Sequence, residues 1–589
     1  MSYWDTPPLD RRQIVLFSPT LDSVIAEDHP VRLFDEVLRQ MDWREWEKHY
    51  CGAAGQPAIP PRVVASVILY GLSLGLRSSR KLQDTCVNRL DFVWLTDGRE
   101  IDHSTVCKFR TRFGRELKDL FKQVGRVAMG MGLVRLNQVS FDGTKVLAHN
   151  GRYNTGRVAD VQAAMAELDR QMEQMLREAE QADRAEDQLF GEDATPGKLP
   201  RQLADLKRRQ EKMNEALRAL KEMDQKRGGR KDVSRKGPQV PLADIDSRVL
   251  PNKNGGYAPN YVPVLATDGQ AGFLLDADVA EGNDEAGALL GAVDRIGENF
   301  GALPQQALAD SGFHTGPNLA GLERRGMEAL VPEKQPFESN PALDPSRFEP
   351  APEGGALAAA RGARGAGPAQ QMGSSQQIQQ VERPGSSVQA EAAGRTGTAR
   401  QTELLQQIQL SEAPRPVPPE QWDKLPVNPQ HKVLDKAAFL YDMAADRYYC
   451  PMGKVLQFAH EQAYDRDRRR GTYRVYECGS CAGCPLTSRC LAGKTKARRV
   501  MRDEYDGVRE RAARRLKSGQ GKQAYRRRWP LAETPFGIFK AVMNFRQFLL
   551  RGRRKVRIEW TWAATAYNLR KLVRAMVATP RPQADARSG

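Results

Sequence analysis

Two carboxylates in this chain stand where a half-buried strand would ordinarily exclude a charge. In NQVSFDGTKVLAHN, from Asn137, Val139 and Phe141 begin an apolar alternation that Asp142 interrupts. In ALADSGFHT, a short apolar run ends in Asp310. Held on adjacent strands, two such groups repel each other unless a divalent cation lies between them. An all-oxygen donor set of this kind suits magnesium or manganese (Mg2+ or Mn2+). A third acid is available in YRRRWPLAETPFGIFK, where Glu533 precedes Lys540 by seven residues. Two turns of continuous helix would put a metal-binding carboxylate and a phosphate-binding lysine on one face. Pro535 interrupts that reading, because proline inside a helix removes a hydrogen bond and clashes with the turn before it. The helix is therefore expected to begin near Thr534, with Pro535 as its first residue and Glu533 at its positive end. Taken singly, Asp142 also reads as a turn residue before Gly143, and Asp310 as a cap for SGFHTG. It is the three together that point to a metal-dependent site.

A second group of chemically able residues is the cysteines. Five of the eight fall between Cys450 and Cys490: Cys450 in YYCPMGK, and Cys478, Cys481, Cys484 and Cys490 in CGSCAGCPLTSRC. Paired knuckles of this kind point to zinc (Zn2+) held by four thiolates as a structural clip. Five thiols for four positions leave the fourth ligand open. The first three of the closely spaced run, followed by Pro485, also partly resemble an iron–sulfur cluster run, and a reduced, metal-free segment is the third reading. Cys51, Cys86 and Cys107 stand alone and read as small buried hydrophobes. With seven histidines, none falls at metal-ligand spacing, and neither a P-loop nor a dinucleotide fingerprint is present.

The charge balance names the kind of partner. Lysine and arginine number 90 against 73 acids, a net charge of +17, which favours a polyanion such as DNA or RNA. Cations crowd both sides of Glu533, from Lys494 to Arg528 and again in RGRRKVR with Arg551, Arg553 and Arg554. A basic run is often a solvated helix face; beside three acids it reads as a phosphate track that holds a strand against carboxylate repulsion. Trp529, Phe536 and Phe539 read as core aromatics, with stacking on an unpaired base as the other role for Trp529. The longest apolar run, VVASVILYGLSLG from Val63, is too short to span a bilayer and reads as a core helix. MSYWDTPPLDRRQ lacks a secretion signal, so a cytoplasmic, nucleoid-associated protein is expected.

The elements that must position these groups fall into a multidomain order. Residues 1–135 read as a basic, α-helical DNA-binding domain. In STVCKFRTRF, Ser104 is the expected N-cap, with Lys108, Arg110 and Arg112 beyond it as a groove-entering helix requires, or as the solvated face of a structural helix. Residues 136–155 carry the first strand of an α/β domain. From 156 to 225, Val161, Met165, Leu168, Met172 and Met175, then Leu199, Leu203, Leu206, Met213, Leu217 and Leu220, step by threes and fours as a coiled-coil hairpin inserted into that domain. Residues 240–335 alternate strand and helix as a mixed α/β fold. The Gly-, Ala-, Pro-, Gln- and Ser-rich stretch 338–427 is expected to be disordered. A cysteine-rich insertion over 432–495, basic C-terminal helices over 496–577 and a frayed tail over 578–589 complete the chain.

In combination, DHSTVCKFRTRF, FDGTKV, GGYAPNYVPVLATD, ALADSGFHT, YRRRWPLAETPFGIFK, RGRRKVRIEW and AYNLRKL resemble the DDE transposases of bacterial insertion sequences, in particular the group named after insertion sequence 1182. The resemblance implies a ribonuclease H-like catalytic domain. It also implies an acid triad, here Asp142, Asp310 and Glu533, that binds two Mg2+ or Mn2+ ions. Tyr525, Arg528 and Lys540 match residues placed near the DNA backbone. Arg528 stands five residues before Glu533, one further than in the related signature, and Thr534 intervenes where the family has proline directly after the glutamate. The implied partner is double-stranded DNA at transposon ends and target, processed by a dimer. Two other readings stay open: a DNA-binding relative without cleavage, and a nuclease that cuts without joining strands.

Overall fold

The computed structural model describes residues 20–50, 57–190, 201–227, 237–252, 255–333, 340–347, 413–466, 469–493 and 495–578. The chain divides into two compact units, one of Met1–Glu328 with Arg527–Gly589 and one of Ala329–Arg526.

In the first unit the N-terminal helices include Pro30–Arg39, Pro61–Ser73, Ser79–Asn88, His103–Arg112 and Gly114–Gly130. Pro61–Ser73 is buried on almost every side, and among the described residues no helix is long and apolar enough to cross a membrane. What buries it is the C-terminal helix Arg553–Ala578, which packs on Pro61–Ser73 and Gly114–Gly130 and is itself buried without a break from Ile558 to Leu569. Trp46, Phe109, Phe113 and Trp562 interleave with ring centroids 4.7 to 6.1 Å apart. The N-terminal helices thus share their core with the end of the chain, instead of closing a separate domain at residue 135.

The sheet of this unit has five strands: β1 (Gln138–Gly143), β2 (Pro263–Asp268), β3 (Leu274–Val279), β4 (Gln306–Ala309) and β5 (Glu328–Leu330), in the order β5-β4-β1-β2-β3. The β1 strand is central, antiparallel to β2 and parallel to β4. Val139 and Phe141 are fully buried, as their alternation implied. The outer strand β3 gains a side-chain partner: Asn568 of the C-terminal helix accepts from Leu274 N–H at 2.9 Å and donates to Leu274 C=O at 2.8 Å, which satisfies an edge that would otherwise pair with another chain.

Between β1 and β2 the chain forms two long helices, Val158–Phe190 and Arg201–Arg227. Val161 packs with Ala216 and Leu220, and Gln210 donates to Asp169 at 2.6 Å, so the two run antiparallel.

The second unit is built on a meander of five antiparallel strands: β6 (Leu440–Asp442), β7 (Arg447–Tyr449), β8 (Val455–Arg466), β9 (Arg469–Glu477) and β10 (Arg499–Arg502). Helices Asp506–Lys517 and Gly519–Arg526 follow. Two sequence boundaries move as a result. Basic residues 499–526 belong to this unit because Val500 is buried against β9, so the return to the first unit comes at Arg527 instead of 496. The stretch 338–427 is ordered at both ends, where Ala342, Val417 and Leu425 enter the core of the unit; its residues 348–412 lie outside the described ones.

Candidate active site

The register of the central strands brings the first two acids together. Phe141 of β1 lies beside Ala309 of β4, and both strands run the same way, so Asp142 and Asp310 are the next residues at one end of the sheet. Neighbouring strands are about 4.8 Å apart. Asp310 is turned by its own loop: its carboxylate accepts from Gly312 N–H at 2.8 Å and caps the short turn Ser311–Phe313.

Glu533 arrives on the helix Arg528–Ala541, which packs over β1. This helix runs straight through Pro535, contrary to the expected start near Thr534. Ala532, Pro535, Phe536 and Phe539 are all buried, and that burial outweighs a proline cost of about 3 kcal/mol. The unbroken helix puts Glu533 and Lys540 on one face after all. Lys540 Nζ donates to Thr144 Oγ1 at 2.8 Å, and Arg528 pairs with Asp142 at 3.1 Å.

A fourth acid, which the sequence reading passed over, completes the cluster. Glu285 sits in GNDEAGA, just before the helix Leu289–Phe300. A Cβ on Gly143 would lie 2.2 Å from Glu285 Oε2, and one on Gly312 would lie 3.4 Å from its Oε1. The Glu285 carboxylate therefore lies between Gly143, which follows Asp142, and Gly312, two residues beyond Asp310. The signal that could have found it is an acid in the turn that follows β3 and leads back toward β4.

Asp142, Glu285, Glu533, Lys145, Lys540 and Arg546 line one cleft of about 760 Å³. Burial pushes Asp142 up to about 6; Arg528 opposes the rise, while Asp310 and Glu533 add to it. Burial pushes Glu285 up to about 7, with Asp310 and Asp142 adding to the rise and Lys145 opposing it. Asp142 thus lies within electrostatic reach of Asp310, Glu533 and Glu285, with Lys145, Lys540 and Arg546 lining the same cleft.

Arg551 is exposed and donates to His149 C=O at 2.9 Å, Arg553 pairs with Glu281 at 2.7 Å, and Arg554 is exposed. Tyr525 lies half-buried on Gly519–Arg526 of the second unit. Lys108 is exposed, whereas the terminal nitrogen of Arg110 is sealed from solvent and its backbone carbonyl accepts from Trp562 Nε1, so Arg110 is a core-facing residue. The helix is capped by Asp102, which accepts from Ser104 N–H at 2.7 Å, instead of by Ser104. Trp529 is 71% exposed, so it leaves the core that Phe536 and Phe539 join. Cys86 is buried, Cys107 is exposed against expectation, and Cys51 lies outside the described residues. Cys450, Cys478, Cys481, Cys484 and Cys490 all line one small cavity of the second unit.

Two family models match the chain: Transposase DDE domain over residues 449–573, and Transposase domain (DUF772) over residues 19–112. The matches indicate a DDE-type transposase family. The DDE-domain match carries the cysteine segment, Glu533 and Lys540, while Asp142, Glu285 and Asp310 fall outside both transposase matches. No curated protein and no solved structure was found to match.

Transposases of this type generally use divalent metal ions. Among the described residues no three His, Cys, Asp or Glu side chains are gathered as a finished metal cage. The donor chemistry nevertheless fits a hard cation: Asp142, Glu285 and Glu533 line the cleft and Asp310 stands beside Asp142 at the end of the sheet, an all-carboxylate set whose mutual repulsion a divalent ion relieves.

Proposed function

We propose that this chain is a DNA transposase that cleaves the ends of an insertion sequence and joins them to target DNA. The observation that carries the reading is the β1–β4 register, which sets Asp142 beside Asp310 in a sheet overlain by the helix of Glu533 and Lys540. The order β5-β4-β1-β2-β3, with an antiparallel meander on one side of β1 and parallel β4 on the other, supports a ribonuclease H-like catalytic unit.

In this reading Asp142, Asp310 and Glu533, assisted by Glu285, hold Mg2+ or Mn2+. When bound, such ions activate a water or a DNA 3′-hydroxyl for in-line attack on phosphorus and stabilise the leaving oxygen. Lys540, Lys145 and Arg546 supply positive charge at the rim for the strand being cut. Arg528 holds Asp142 in place and offsets its charge. The long helical pair Val158–Phe190 and Arg201–Arg227 serves as a coiled-coil arm. Because two ends must be processed together, the protein acts as a dimer on DNA, in the cytoplasm at the nucleoid.

The test uses labelled DNA spanning each boundary of this protein's own gene, incubated with Mg2+ or Mn2+ and either wild type or Asp310→Asn. Cutting at a defined boundary by wild type alone, with strand-transfer products, supports the proposal. Cutting without joined products makes the protein a nuclease. Binding by both proteins with cutting by neither leaves a non-catalytic DNA-binding protein.

A further inference from the structure

We propose that the second unit carries a single zinc ion between its cysteines, a site independent of the acid cleft and of the transposase reading. Cys450 directly follows β7 and Cys478 directly follows β9, and both strands flank β8, so the two sulfurs lie at the same end of the sheet. Each is met by backbone donors. Lys454 N–H points at Cys450 Sγ at 3.3 Å, Met452 N–H does the same, and Ser480 N–H points at Cys478 Sγ. A thiol sulfur is a weak acceptor; turns that aim amides at sulfur are matched to a thiolate. The Cys450 turn is closed by Gly453 at φ +74, where a Cβ would lie 2.2 Å from Pro414 C=O, so only glycine completes it.

The two basic side chains that line the cavity, Lys454 and Arg498, are committed to carbonyls: Lys454 Nζ to Ser480, and Arg498 to Cys490 at 3.0 Å and Leu434 at 2.6 Å. The rest of the wall is largely apolar, including Leu434, Pro451 and Leu486. The cavity measures about 20 Å³, room for one ion the size of a water molecule and too little for the several iron and sulfide atoms of a cluster. Soft sulfur donors beside a largely apolar wall select zinc among the common divalent ions. Cys450 and Cys478 are the anchored ligands, and two of Cys481, Cys484 and Cys490 are drawn in by the ion.

The full-length chain, purified without added metal, is analysed for zinc by mass spectrometry and after exchange with cobalt(II) by absorption. About one zinc per chain is expected, with the visible bands and sulfur-to-metal charge transfer of tetrahedral thiolate cobalt. Cys450→Ser and Cys478→Ser should lower the zinc content about tenfold, while Cys107→Ser, outside the site, leaves it unchanged. Should the serine variants fail to fold, the wild type still decides the matter: a chelator must release the zinc and expose thiols that were unreactive before. Wild-type protein free of zinc with freely reactive thiols overturns the proposal, as does iron with acid-labile sulfide.

Discussion

Removing the counter-ion of Glu559 is expected to loosen the first unit by a calculable amount. Arg77 and Glu559 pair at 2.8 Å with side chains only 9% and 11% exposed. Arg77 also donates to Asn544 C=O at 2.9 Å and Gln547 C=O at 2.6 Å, and lies over the Phe545 ring at 4.0 Å. Glu559 in turn accepts from Leu549 and Leu550 N–H at 2.9 to 3.0 Å. The pair therefore clamps the segment that follows the Glu533 helix. Breaking a buried pair by removing one partner costs about 3 to 5 kcal/mol. Here the Leu549 and Leu550 amides still solvate the stranded carboxylate, so Arg77→Met should cost about 3 kcal/mol, roughly a hundredfold in the folding equilibrium. Urea unfolding followed by tryptophan fluorescence reads this unit through buried Trp46, Trp560 and Trp562. In a cycle with Glu559→Gln, the double variant should recover about 2 kcal/mol relative to the sum of the single changes. Additivity to within about 0.5 kcal/mol would refute the coupling and leave Arg77 acting through the two carbonyls alone.

Three further outcomes are expected. Gly143→Ala must push the Glu285 carboxylate back by about 1 Å. Both it and Glu285→Gln should lower metal-dependent DNA cleavage by about a hundredfold with unchanged melting; full activity in either sinks the role given to Glu285. Asp446 is pushed up by burial but held below the usual carboxylate range overall by the Tyr476 and Tyr441 hydroxyls and Arg474. Its contribution is therefore complete above about pH 4 and lost as pH falls through the depressed value. Asp446→Asn should flatten that acid limb of the near-ultraviolet tyrosine signal, and an unchanged acid titration would contradict it. Trp529→Ala should leave stability within about 0.5 kcal/mol and weaken binding of DNA with unpaired bases by about 1 to 3 kcal/mol; equal affinity in fluorescence titrations would remove Trp529 from the interface.

What the sequence disclosed depended on the range of the interaction. Asp142 and Asp310 were legible because each ends an apolar run, and strand pairing turns that local pattern into neighbourhood. Pro535 misled because its local cost is visible in the sequence, whereas the burial that overrides it is tertiary. Glu285 was hidden because nothing in GNDEAGA separates an acid in a helix-leading turn from one facing the cleft. The strand Arg499–Arg502 was absorbed into a basic helical reading because its inward face pairs Val500 with Arg502, a cation packed over the Tyr441 ring at 3.7 Å, so the period of two does not show as an apolar alternation. Arg110 read as a surface cation because burial of a long basic stem is invisible without Trp562 beside it.

The burial of the C-terminal helix in the first unit sets an order of events during synthesis. Helices Pro61–Ser73 and Gly114–Gly130 emerge from the ribosome long before Arg553–Ala578, the element that covers them, and before the helix that brings Glu533 to the sheet. Contacts of such long sequence separation form late and slowly. A nascent chain therefore exposes its N-terminal cations while its acid cluster is still missing a member. The complete set of carboxylates is assembled only after the helix Arg528–Ala541 has been made.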